Sequence, residues 1–184
     1  MASRLPADFP KVNLASALAG VLAIVSVSLP WWGMDSSYLF STGSVRWYLW
    51  GPPFIGGVIG SPAAAQANST MGLINYLVLA LAFITAALAF YGSIKPLKTY
   101  LISGFVVAIT TLVAYAGGIS YVITIMCQGT SPCISGPVGS DVISGTTETW
   151  GFEPGFYMFL VAAVIILFGI IFHENFLKRE KEPS

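Results

Sequence analysis

Residues 71–126 read MGLINYLVLALAFITAALAFYGSIKPLKTYLISGFVVAITTLVAYAGGISYVITIM. Two apolar runs, 71–92 and 100–126, flank a short turn, and neither holds an Asp, Glu, Lys or Arg. A helix needs about 20 apolar residues to cross about 30 Å of hydrocarbon, so each run is long enough to span. An unpaired backbone amide in lipid costs several kcal/mol, so a spanning run of this kind must be helical. The alternation that marks the strands of a membrane barrel is absent. The turn at 93–99, with Pro96, is so short that the two helices must lie side by side and antiparallel.

Working outward, residues 12–31 and 155–173 are two further runs without a charged group. The prediction is an all-α transmembrane protein, an antiparallel four-helix bundle forming one membrane domain of 184 residues. Its outer loops are 32–70 and 127–154, the inner turn is 93–99 and the tail is 174–184. Composition agrees. The chain is 55% hydrophobic and 9% charged, against about 25% charge in a soluble domain. Formal net charge is zero, so no broad basic face invites nucleic acid. The first run follows Arg4 and Lys11 as a signal peptide would, but its core is longer than the usual 7–15 or so residues. Leu29-Pro30-Trp31-Trp32 then stands where a small-residue cleavage site would fall, so the run reads as a retained anchor.

The basic residues give the orientation. Arg4, Lys11, Lys95, Lys98, Lys178, Arg179 and Lys181 fall on one side, and Arg46 alone on the other. Basic loops stay inside, so both termini are expected to be cytoplasmic and the chain to reside in the plasma membrane. Trp31, Trp32, Trp150 and Tyr157 mark the outer boundary, Tyr91 and Tyr100 the inner one.

Lipid is as apolar as leucine, so helices join through close packing at small residues. Ala15, Ala19 and Ala23, with Ser16 and Gly20, supply them in helix 1, and Ala82, Ala86 and Ala89 in helix 2. Helix 3 has Gly104, Ala108, Ala114 and Gly118, and helix 4 mainly Ala162, Ala163 and Gly169. Helices 1–3 are expected to pack closely, with helix 4 facing more lipid. The same stripes would serve contact with a partner subunit. Asn75 is the strongest polar group within the spans, and Thr85, Thr110 and Thr111 complete a weak set suited to helix–helix hydrogen bonds.

The outer loops are poor in charge and should be folded. Residues 44–50 are rich in aromatics and β-formers, Gly51-Pro52-Pro53 breaks them, and the glycine-rich 54–60 follows. This predicts a β-hairpin or small sheet on the helix ends, anchored by Trp31, Trp32, Trp47, Trp50 and Trp150. Residues 54–60 as a re-entrant loop are the alternative. Cys127 and Cys133 lie in the second outer loop, with five residues between them that include Gly129 and Pro132. In an oxidising exterior they are expected to pair as a disulfide. Copper is the alternative ligand, with Met126 adjoining, but no outer-loop histidine would complete such a site. Asn68-Ser69-Thr70 matches the glycosylation pattern just before helix 2.

Missing chemistry narrows the function. Coupled transporters place ionisable groups inside the membrane, and the spans hold only His173, at the inner end of helix 4. It reads as an interfacial residue beside Glu174, with one axial haem ligand as the alternative. Nucleotide-binding, zinc-protease and nucleophile-elbow motifs are absent. The outer acids Asp35, Asp141, Glu148 and Glu153 are scattered enough to be solvated carboxylates, although they could bind a cation. No cofactor or metal is expected.

A Trp at the end of helix 1 (Trp31 or Trp32) and the later Leu49-Trp50 resemble the W…GLW pattern of claudin-type tetraspans. The layout of helices and loops is similar too. In that family these residues anchor a small extracellular β-sheet on the bundle, so the resemblance implies one here. Two departures stand: no Gly precedes Leu49, and the family's cysteines lie in the first loop. The expected function is non-enzymatic, through contacts with other membrane proteins or copies of itself. An accessory subunit of a membrane oxidoreductase, sharing haem or quinone with a partner, and a small oligomeric channel or carrier are the alternatives.

Overall fold

The computed structural model describes residues 12–38, 41–51, 62–95, 97–127, 134, 136–143 and 145–174. Four helices frame it: α1 (Leu14–Ser28), α2 (Pro62–Ile94), α3 (Thr99–Met126) and α4 (Pro154–Ile171). Strands β1 (Trp32–Tyr38) and β2 (Ser41–Trp47) follow α1, and β3 (Gly139–Ile143) and β4 (Thr146–Phe152) precede α4.

The helix limits follow from local chemistry. Asn13 caps α1, its side chain accepting the Ser16 N–H at 3.2 Å. Leu29 is extended, as a residue before proline must tend to be, and α1 ends there. α2 begins at Pro62, nine residues earlier than predicted. Proline suits the first turn of a helix and the alanine-rich stretch behind it propagates one. α4 starts with Pro154, straight after extended Glu153.

Three helices are long and apolar enough to cross a membrane: Gln66–Ile94, Thr99–Ile125 and Pro154–Ile171. α1 is the exception to the predicted four. Its 15 residues reach about 22 Å at about 1.5 Å per residue, because Pro30 stops it early.

The helices close a ring in chain order, with α1 packed on α2, α2 on α3, α3 on α4 and α4 on α1. α4 is no outlier: the share of its span buried is 33%, equal to that of α2. The expectation of a more exposed helix 4 fails because Gly155, Phe159, Ala162, Ala163, Ile166 and Gly169 form one buried stripe at helical spacing. A Cβ on Gly169 would collide with Ser16 Oγ, and one on Gly20 would lie 3.0 Å from the Phe90 ring. α1 thus approaches both neighbours through missing side chains. Thr85, Thr110 and Thr111 do not bridge helices. Each returns its hydroxyl proton to the carbonyl four residues back, Leu81, Val106 and Val107 respectively.

The four strands make one antiparallel sheet in the order β2-β1-β4-β3. β1 follows the end of α1 and β4 leads into α4, so two adjacent helices run on into the two central strands. Trp32 stands opposite Trp47 on one side and Phe152 on the other. The hairpin differs from the one predicted, because residues 44–47 pair backward with Trp32–Asp35 rather than forward. Residues 54–60 lie outside the described residues.

Candidate functional site: an anchored sheet and a buried polar cluster

Three indoles fix the sheet to the helices. Trp31 is fully buried, with Tyr115 of α3 edge-on at 5.1 Å and Phe159 of α4 at 5.4 Å between ring centroids. Its Nε1 donates to the Ser26 carbonyl at 2.9 Å. Trp32 stacks at 4.6 Å on Trp47 and donates to the Pro137 carbonyl at 2.8 Å. Trp150 donates to the Gly136 carbonyl at 3.0 Å. Gly136 has φ +79°, a left-handed backbone that suits glycine. Each indole buries its rings while its N–H finds a carbonyl, which removes the cost of an unpaired donor. Backbone bonds complete the joint: Trp31 N–H to Trp47 O at 2.8 Å, and Gly155 N–H to Pro30 O at 2.8 Å.

Of the predicted anchors, Trp31, Trp32, Trp47 and Trp150 are buried in this core and Trp50 is not. Trp50 is 59% exposed, with its ring 5.2 Å from that of Tyr48. Leu49, its neighbour, turns inward and is fully buried.

Alternation sends Gly33, Asp35 and Arg46 to the opposite face, away from the tryptophans. Arg46 makes a two-pronged pair with Asp35, at 2.8 and 3.1 Å, and its Nε lies 3.3 Å from Glu153. This ion pair crosses β2, β1 and the end of β4. Gly33 makes room for it, since a Cβ there would sit 2.6 Å from Glu153 Oε1 and 3.0 Å from the Arg46 stem. The Asp35 hydrogen bond raises the Arg46 pKa, with burial opposing and the Glu153 charge assisting. Beside it, a cleft of about 410 Å³ is lined by hydroxyls, among them Ser37, Thr42, Ser44, Thr147 and Thr149. The carboxylate that lines this cleft, Asp35, is held in the pair with Arg46. Among the described residues no three His, Cys, Asp or Glu side chains gather as a metal site would require.

The remaining predicted residues are dispersed. Cys127 caps the C-terminus of α3, its Sγ 3.4 Å from the Ile134 carbonyl, and is not a free thiol. Cys133 lies outside the described residues. Asn68 sits inside α2, half-buried, with its side-chain oxygen shielded and unbonded. Asn75 is buried; its Nδ2 reaches the Tyr48 carbonyl at 3.5 Å and its oxygen has no partner.

The far end of the bundle holds a cluster that the sequence reading missed. His173 is fully buried, with Nδ1 3.2 Å from Asn13 Nδ2. Asn13 also donates to the Gly169 carbonyl at 2.9 Å, and its backbone N–H to the Ser93 carbonyl at 2.8 Å. Glu174 pairs instead with Lys98 at 2.9 Å. Asn13 was legible as a helix cap, but reading the apolar run from residue 12 absorbed it into the helix. No protein-family model matches this chain, and comparison with curated proteins finds no relative.

Proposed function

We propose that the chain is a four-helix integral membrane protein that works through contacts, as a subunit of a larger membrane assembly or a self-associating tetraspan. The observation that carries this reading is the distribution of side-chain size. The helix interfaces hold Ala19, Ala23, Ala82, Ala86, Ala89, Ala108, Ala162 and Ala163, all buried. Leu14, at 71% exposure, and Leu18, Leu73, Leu77, Val106, Val113, Phe168 and Ile171 point outward. Water would reverse that arrangement, whereas lipid favours it.

Exposed Tyr76, Tyr121 and Tyr157 ring the sheet end of α2, α3 and α4, and Tyr91 lies near the other end of α2. Tyrosines prefer the two interfaces of a bilayer. Lys95 and Lys98 support a reading in which the end remote from the sheet is cytoplasmic and the sheet faces the exterior of the plasma membrane. On this reading α1 completes its crossing with the extended residues after Ser28. A sheet built from both outer loops favours the claudin-like layout. The Cys127–Cys133 disulfide is part of the same proposal, as the exterior is oxidising.

Contacts suit the exterior surface better than catalysis does. Among the described residues β2 and β3 are the edge strands, and Val138, just before β3, and Val142 within it are exposed. Cysteine substitutions at Ser44 and Lys95, probed with an impermeant thiol reagent on intact cells, test the topology. Labelling at Ser44→Cys alone is expected; labelling at Lys95→Cys alone inverts it. Crosslinking in native membranes tests the contacts, and recovery of strictly monomeric chain without a partner refutes them.

A further inference from the structure

The outer face of the sheet, turned away from the tryptophans, repeats one kind of side chain. Ser37 of β1 stands opposite Thr42 of β2 and Thr147 of β4, and Asp35 stands opposite Ser44 and Thr149. Neighbouring strands lie about 4.8 Å apart, and same-face residues along a strand about 7 Å apart, so the hydroxyls form a close grid. All five of these hydroxyl residues are exposed, as is Asp35. Together they line the cleft of about 410 Å³ beside Arg46. That volume lies toward the lower end of the range of about 300–1,000 Å³ typical of small-molecule sites. We propose that this cleft binds a neutral saccharide, one sugar ring whose hydroxyls are taken by Asp35, Ser44, Thr147 and Thr149.

Each hydroxyl of the wall can both donate and accept. A ligand matched to it must do both around its rim, and a ring of alcohols does. The lining holds no apolar side chain, so an apolar ligand would find no surface on which to leave water. Charge selects further. Arg46 lies between Asp35 and Glu153, so one positive and two negative groups leave a single negative charge. Phosphate, sulfate or a uronate would be repelled by it. A metal ion would find no third His, Cys, Asp or Glu beside it among the described residues. Asp35 supplies the strongest acceptor. Arg46 donates one hydrogen bond to each of its oxygens, at 2.8 and 3.1 Å. An ionised carboxylate has about four acceptor positions, so each oxygen keeps one for a ligand O–H. A bond to a charged acceptor is stronger than one between neutral groups. The ion pair also holds the carboxylate in place before a ligand arrives, which lowers the ordering cost of binding. The cleft is formed by strand residues alone. The site therefore goes beyond the contact reading and does not depend on the helices lying in lipid.

The test uses the full chain in lipid nanodiscs and saturation-transfer difference NMR, with empty nanodiscs as the blank. The probes are glucose, galactose, mannose and N-acetylglucosamine, each also as its methyl glycoside. Transfer from the native chain to at least one of them is expected, with a Kd on the order of 1 mM. Thr149→Val removes a hydroxyl and keeps a β-branched side chain that suits a strand. Affinity should then fall about fivefold, as the loss of one neutral hydrogen bond implies. Asp35→Asn should lower it about tenfold or more, since the acceptor loses its charge. Ser140→Ala, on the same face opposite Thr149 but outside the cleft, should bind as the native chain does. No transfer to any of the four sugars overturns the proposal, and so does equal affinity in native, Thr149→Val and Asp35→Asn. Binding of glucuronate or ethylammonium in place of the neutral sugars also overturns it. The native chain alone decides the first and last of these, so a variant that fails to fold leaves the test standing. A methyl glycoside that binds as well as its free sugar marks the end of a glycan as the source, and one that fails to bind marks a free sugar.

Discussion

Replacing Trp31 by alanine is the most direct challenge to the account of how sheet and helices are joined. The side chain is fully buried among Tyr115, Phe156 and Phe159, and its N–H is satisfied by Ser26. Truncating a buried Trp removes its apolar transfer energy and leaves a void between α1, α3 and α4, a loss of about 3–5 kcal/mol. Trp31→Phe separates the components. It keeps a ring in the cluster, forfeits part of the indole volume and drops one hydrogen bond worth about 1 kcal/mol. The Ser26 carbonyl stays partnered by the Leu29 N–H at 3.2 Å, so no buried acceptor is orphaned. For a chain of this size about 1 kcal/mol shifts the melting midpoint by roughly 2–4 °C. Trp31→Ala is therefore expected to fall by on the order of 10 °C and Trp31→Phe by about a third of that. Trp50→Ala, at an exposed position, should stay within about 0.5 kcal/mol of the native chain. The assay is thermal challenge in detergent followed by size-exclusion recovery. A Trp31→Ala chain that survives like Trp50→Ala refutes the argument that the buried indole joins the two layers.

Other outcomes follow from the same packing. Gly169→Ala should destabilise by about 1–3 kcal/mol through overpacking, and Ser16→Gly in the same chain should restore much of it, which a double-mutant melting cycle measures. Arg46→Ala should cost about 1 kcal/mol or less, since the ion pair is partly solvated, and the difference should shrink in high salt. Because the Arg46 pKa is raised above its ordinary value, this contribution is whole through the neutral range and is lost only in strong alkali, so its melting increment should not change between neutral and mildly alkaline buffer. With Cys127 and Cys133 bridged, denatured chain should react with maleimide only after reduction, and either Cys→Ser variant should expose one reactive thiol without it.

Much of the helical frame was legible because hydrocarbon-length apolar runs leave little freedom. The third and fourth helices, the end of the second and the turn between the second and third fall within a few residues of the predicted places. Boundaries failed where a single residue decides. Pro30 cut α1 short, and Pro62 let α2 begin in what read as a loop. The sheet was expected, but its pairing was not. β1 is Gly-Met-Asp-Ser-Ser between Trp32 and Tyr38, a poor strand by propensity, and it forms because α1 delivers it alongside β4. Such tertiary placement overrides local preference. Trp50 was misplaced for the opposite reason: aromatic character was taken as burial, whereas Leu49 carries the inward position. The Asn13–His173 contact joins residues 160 apart in the chain, and no local spacing announces it.

The continuity of α1 with β1, and of β4 with α4, restricts how this pair of helices can move. Sliding one helix along the other by one residue is a step of about 1.5 Å. A strand can shift register only in steps of about 3.4 Å, and must take two to keep its tryptophans on the same side. The two repeats are incommensurate, so the ladder acts as a ratchet stop against axial travel. What it leaves open is splaying: the remote ends can part like the blades of tweezers while the joined ends stay in step.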